Sequence, residues 1–209
     1  MLHALPSFST NAHYDYLPAR KDADIAPTKN PPNPPACPIW PSSPPRADLY
    51  CDGSLLDHPL TSPVAAKPEA WKGAPPMFFC YGEEMLLDEG KVVAQRMARN
   101  GTPVRFEGYE AMPHVFAPMF VGSPVSERCY NAWGEWIGKV VKGGKEAAPM
   151  GAVWIKAKTL KEEELDVRNL IGLGDEEVAD LLTKEKAERI RVFEERFGVS
   201  GKGGEAARL

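Results

Sequence analysis

The amino-acid sequence predicts an α/β protein built on a parallel sheet, and three observations carry that prediction. Short apolar runs at 77–81 and 102–109 read as strands, and a pattern with helical spacing follows each of them. The order strand, helix, strand, helix fits within about seventy residues, the repeat that buries a parallel sheet between helices. A hydrophobic content of 43% over 209 residues is enough for one ordinary core.

Residues 1–73 stand apart from that repeat. The chain holds 21 prolines, about twice the usual share, and they crowd its first third, with Pro-Pro-Asn-Pro-Pro at 31–35 and Pro-Ser-Ser-Pro-Pro at 41–45. Proline lacks a backbone donor and clashes with the preceding helical turn, so polyproline II or irregular coil is expected there. Phe8, Tyr14, Tyr16, Ile39, Trp40, Tyr50 and Trp71 are scattered through the same zone. Disordered tails are poor in aromatics, so the zone is expected to fold against something.

Residues 74–143 carry the repeat itself. Pro75-Pro76 opens the first strand and Gly82 ends it. A helix is predicted over 87–100, with Val92, Val93, Met97 and Ala98 on one side. Asp88 and Glu89 sit where the helix dipole favours anions, and Asn100-Gly101 stops the helix. After the second strand a long helix is predicted over 126–141, with Cys129, Trp133, Trp136, Ile137 and Val140 facing inward.

From Gly143 the character changes to a charged, helical extension. Gly143-Gly144-Lys145 reads as a linker and 152–158 as a short strand. Residues 160–170 and 176–197 carry apolar side chains at helical spacing, among them Val178, Leu181, Leu182, Ile190, Phe193 and Phe197. One apolar face packed on the domain is the simple expectation, and a partner-binding helix is the alternative.

Bulk properties narrow the function classes. A net charge of −4 gives no electrostatic reason to expect nucleic-acid binding. Cys37, Cys51, Cys80 and Cys129 are far apart and form no C-x-x-C, so neither metal nor cofactor is expected, and Cys80 in its apolar run reads as a buried reduced thiol. The first residues have no basic segment followed by an apolar stretch, and no run approaches the length of a membrane span. A soluble, cytoplasmic protein is the expectation.

The chemistry rests on two side chains. Glu84 follows the first strand at once, and His114 follows the second after a short loop. In a parallel sheet both emerge at the same edge, where open α/β sheets place their sites. A carboxylate beside a histidine is the pair in which the acid fixes the imidazole tautomer and stabilises the imidazolium.

Several stretches around these residues resemble a known family. Gly82-Glu83-Glu84-Met85-Leu86-Leu87-Asp88-Glu89-Gly90 is similar to the G-x-x-D-P-L-x-D-E-G signature of the hormone-sensitive-lipase-like α/β-hydrolases, the fold-3 group of esterases and acetyl hydrolases. Met112-Pro113-His114-Val115-Phe116 resembles that group's G-x-x-H-x-F loop, and Pro59-Leu60-Thr61-Ser62-Pro63 its upstream S-P segment. The resemblance covers roughly residues 45–142. Residues 1–44 are matched less specifically, as a proline-rich insertion of the kind found in fungal members. It implies the C-terminal part of an α/β-hydrolase sheet with flanking helices, Glu84 as the triad acid, His114 as the base, and a small ester as substrate. The sequence departs by having Glu for Asp, one residue closer to Gly82, which leaves Glu83 as a weaker candidate for the acid. Asp88 reads as a helix-start carboxylate.

The larger departure is the nucleophile. The fold calls for a G-x-S-x-G elbow between strand and helix and a His-Gly-Gly-Gly oxyanion loop. Ser54 lacks the flanking glycines, Ser62 precedes a proline, Ser200 sits in the terminal tail, and no His-Gly-Gly occurs. Since the family's order is serine, acid, histidine, both elements are expected upstream of Met1, and the chain is expected to be inactive alone. It would be a truncated gene product, one half of a split gene, or a decayed paralogue. A sheet of two or three strands without that half would leave apolar area uncovered, so a missing N-terminal half or homo-association is expected to supply the covering. The alternative is an interaction protein that uses the C-terminal helices or Pro41-Ser42-Ser43-Pro44-Pro45-Arg46, a P-x-x-P-x-R pattern of the kind read by SH3 domains.

Overall fold

The computed structural model describes residues 53–84 and 86–197. The proline-rich run 31–45, the P-x-x-P-x-R stretch, Cys37, Cys51 and Ser200 lie outside the described residues. Four strands form one sheet in the order β1 (Met77–Gly82), β2 (Val104–Tyr109), β3 (Gly151–Ile155), β4 (Glu162–Leu165). β1, β2 and β3 are parallel, and β4 runs antiparallel to β3. Helices α1 (Leu87–Arg99), α2 (Phe116–Met119), α3 (Pro124–Gly143) and α4 (Asp175–Phe197) flank it, with short 3-10 turns at Gly53–Leu55, Pro63–Ala65, Pro68–Trp71 and Lys145–Ala147.

The alternation of side chains along each strand divides the core in two. Phe79 and Tyr81 of β1, Val104 and Phe106 of β2, and Ala152 of β3 face one way, onto Val92, Val93 and Met97 of α1 and Val178 and Leu182 of α4. Tyr109, Val153 and Ile155 face the other way, onto Phe116 and Ala117 of α2 and Cys129 of α3. Each fully buried Val, Phe or Met contributes about 1.5–3 kcal/mol of transfer free energy, so the pattern of alternation decides which face each strand presents.

α1 forms where its spacing predicts. Asp88 and Glu89 occupy its first turn and Arg96 and Arg99 its last, complementing the dipole at both ends. Gly101, at φ +79°, ends it. The helix is enclosed on nearly every side, polar residues included. Arg96 donates to Val64 O (2.6 Å), Ala66 O (3.1 Å) and Asp175 Oδ1 (2.6 Å), tying the 63–66 turn and α4 to α1. Gln95 Oε1 accepts from the Ile171 amide at 3.2 Å.

Three expectations need correction. Residues 160–170 are not helical: Glu162–Leu165 is a strand that pairs with β3, exposed along its length. Its hydrogen-bonding partner, rather than its own pattern, sets its conformation. The strand expected over 152–158 ends at Ile155, where the chain turns; Lys158 and Leu160 adopt positive φ, and the Lys156 amide bonds Lys161 O at 2.9 Å. In α3, Cys129 and Trp136 face the sheet as expected, whereas Trp133 and Ile137 are 48% and 44% exposed. They lie with Tyr130 and Val141 on a flank that no described element covers. The Gly143-Gly144-Lys145 stretch is tight: Gly144 turns the chain at φ +68° and its amide closes on Val140 O at 2.8 Å. β3 and β4, which follow it, join the same sheet as β1 and β2.

Candidate functional site

Glu84 and His114 meet because of three local features. The parallel register, Met77 opposite Val104 through Gly82 opposite Tyr109, brings the ends of β1 and β2 to one edge. Gly82 then lets the next loop press down on β1, since a Cβ there would lie 2.0 Å from the Met112 carbonyl oxygen and 2.8 Å from that of Pro113. Finally, the loop is bent by left-handed backbone at Ala111 (φ 62°) and Val115 (φ 57°), on either side of the histidine. Such angles are uncommon for a β-branched residue and are held here by the surroundings.

Those surroundings are specific. Glu83 Oε2 accepts from the Ala111 amide at 2.9 Å. Phe116, two residues past His114, is buried against Tyr109 with ring centroids 4.7 Å apart. The Glu84 carboxylate, its side chain 4% exposed, is hydrogen-bonded through Oε2 to His114 Nδ1, while the His114 side chain is 53% exposed. An imidazole engaged at Nδ1 by a carboxylate keeps Nε2 as the nitrogen that can take up a proton. The two adjacent glutamates divide the work: Glu84 holds the ring, and Glu83 holds the loop backbone. Asp88 lies buried in the first turn of α1, 3.8 Å from Lys91, as a helix-start carboxylate would.

Three of the four described serines are engaged elsewhere. Ser62 is buried and its hydroxyl donates to Leu56 O at 2.8 Å. Ser123 caps α3, and its hydroxyl donates to the buried Ser126 hydroxyl at 3.1 Å. Ser54 lies exposed in the Gly53–Leu55 turn. The hydroxyls of Ser62, Ser123 and Ser126 thus bond groups other than His114.

A family model described as alpha/beta hydrolase fold matches residues 20–118, a span that includes Glu84 and His114. The chain carries that fold. The match covers just under half of the 209 residues and supports a hydrolase lineage. No curated protein and no solved structure matches the chain. Among the described residues no helix is long and apolar enough to cross a membrane, and no group of three or more His, Cys, Asp or Glu could hold a metal ion.

Two features near the site have no linear signal. Glu107, fully buried on β2, accepts from Arg105 Nη2 (2.8 Å), Tyr109 OH (2.7 Å) and Arg128 Nη1 (2.5 Å). Burial alone would raise its pKa, but the hydrogen bonds from Arg128, Tyr109 and Arg105 outweigh it and hold the carboxyl below its ordinary range. Arg128 also reaches Glu162 of β4 at 2.5 Å, so this network joins α3 to β2 and to the edge strand β4. The second feature is a thiol pair: Cys80 on β1 and Cys129 on α3, 49 residues apart in sequence, place their sulfurs 3.3 Å from each other.

Proposed function

We propose that Glu84 and His114 are the acid and base of a Ser-His-acid carboxylester hydrolase, working with a nucleophilic serine and oxyanion donors that the 209 residues do not contain as an elbow or a His-Gly-Gly loop. The observation that carries this is the Glu84–His114 hydrogen bond at the edge where two parallel strands end. In this role His114 Nε2 takes the proton of the serine hydroxyl as it attacks an ester carbonyl, and returns it to the leaving alcohol. Glu84 holds the ring with Nδ1 protonated and stabilises the imidazolium between the two steps. The partner is a small ester in the assembled enzyme, and the chain alone is inactive. The exposed flank of Tyr130, Trp133, Ile137 and Val141 leaves apolar area for a further polypeptide, or a second copy, to cover.

The isolated chain is expected to show no p-nitrophenyl acetate turnover above buffer. Turnover that disappears in His114→Ala would place a nucleophile within this chain and overturn the reading that it comes from elsewhere. The pair itself is tested by proton NMR. A low-field imidazole Nδ1–H resonance is expected in the parent and absent in Glu84→Ala. Its persistence in that variant would remove Glu84 from the acid's role.

A further inference from the structure

Cys80 and Cys129 take no part in the chemistry above, and their geometry is that of a bond waiting for an oxidant. We propose that they are a peroxide-responsive dithiol that closes to an intramolecular disulfide, fastening β1 to α3. Both are free thiols whose sulfurs lie 3.3 Å apart. A disulfide needs about 2.05 Å, so the sulfurs must approach by roughly 1.2 Å, within reach of small side-chain rotations. The approach is aimed correctly because Phe78 and Cys80 share the strand face that meets α3, where Phe78 packs edge-on against Trp136 at 5.8 Å. Cys129 is buried in the cluster with Tyr109 and Phe116, and Cys80 is half-buried beside it, so the pair is reached by a small oxidant rather than by a bulky one.

The hydrogen bond shared by the two sulfurs holds the Cys129 thiol below its ordinary range despite burial, with Tyr109 and Arg128 adding to the effect. The Cys80 thiol is pushed well up by that same bond, by burial, and by the negative charge of Cys129, Glu107 and Glu84. Either sulfur is placed to resolve the other, and with Cys129 oxidised first the bonds change in this order. The Cys129 sulfur attacks one peroxide oxygen, the O–O bond breaks, and the departing hydroxide leaves as water after taking up a proton. Cys80 then attacks the sulfenic sulfur: the S–S bond forms, the S–O bond breaks, and the hydroxide released takes the Cys80 proton and leaves as a second water. Two thiols lose two electrons and two protons, and one peroxide becomes two waters.

The test uses the full chain with Cys37→Ser and Cys51→Ser, so that only this pair can react. After treatment with a modest excess of hydrogen peroxide, thiols are counted with a maleimide and peptides are mapped by mass spectrometry. The expected result is the joint loss of both thiols, one peptide pair linked through Cys80 and Cys129, and recovery of both thiols with dithiothreitol. In a further Cys80→Ser variant, Cys129 is expected to stop at a sulfenic acid that dimedone traps. Two thiols still reactive after peroxide, sulfinic acid without the linked peptide, or links only between copies would each overturn the proposal. Linking as fast in urea as in buffer would do the same, since the folded geometry would then contribute nothing.

Discussion

Gly82→Ala tests whether the close approach of the 112–113 backbone to β1 is what places the histidine. The added Cβ would sit 2.0 Å from Met112 O, 2.6 Å from Met112 C and 2.8 Å from Pro113 O, and all three are backbone atoms with no flexible end to swing away. The loop must therefore retreat by roughly 1 Å or more. A hydrogen bond does not survive such a shift, because N···O bonds extend over only about 2.7–3.2 Å. Overpacking of this kind costs about 1–3 kcal/mol, which for a chain of this size lowers Tm by roughly 2–12 °C. Thermal unfolding by circular dichroism reads the first effect, and the low-field His114 Nδ1–H resonance reads the second. The expected variant folds, melts earlier and has lost that resonance. If it melts within about 1 °C of the parent and keeps the resonance, the loop is not held by Gly82 and the argument fails.

Three other perturbations follow from the same structure. Glu107→Ala removes the acceptor shared by Arg105, Arg128 and the Tyr109 hydroxyl, leaving Arg128 with Glu162, and should cost about 1.5–3 kcal/mol in urea unfolding. Because the folded Glu107 pKa lies below the ordinary 4.5, its contribution is present above that value and is lost as pH falls through the folded pKa. Melting profiles of Glu107→Gln should accordingly decline less steeply below roughly pH 4.5 than those of the parent. Arg96→Lys cannot bond Asp175, Val64 O and Ala66 O together, so it should lose about 1.5–3 kcal/mol despite keeping the charge; unchanged urea midpoints would contradict this. Gly134→Ala is the opposite case: nothing lies within 4 Å of the added Cβ in the middle of α3, so stability should rise by about 0.5–1 kcal/mol, measured as a higher Tm.

What was legible in the sequence was local. β1, β2, α1 and α3 follow from short apolar runs and helical spacing, and the parallel order then carries Glu84 and His114 to one edge. Glu83 and Glu84 could not be separated by composition, since both are glutamates beyond the same glycine; the turn after β1 separates them, one toward Ala111 N and the other toward His114. What depended on distant partners was not legible. Glu162-Glu163-Glu164-Leu165 has no alternation to mark a strand, and it becomes one by pairing with β3 while Glu162 meets Arg128. Trp133 and Ile137 share α3 with the buried Cys129 and Trp136 at nearly helical spacing, and only the position of the sheet shows that they fall outside the contact. The Cys80–Cys129 pair depends on a strand and a helix meeting across 49 residues.

The paired attachment of the 111–114 loop has a consequence for precision. Two consecutive residues anchor it, one through its backbone and one through its imidazole, with a backbone seat over Gly82 beneath. Errors in position do not accumulate along a loop fixed at both ends of a four-residue span. The histidine, although more than half open to solvent, is thereby confined to a small volume, so the entropy of orienting its imidazole is already spent when folding is complete.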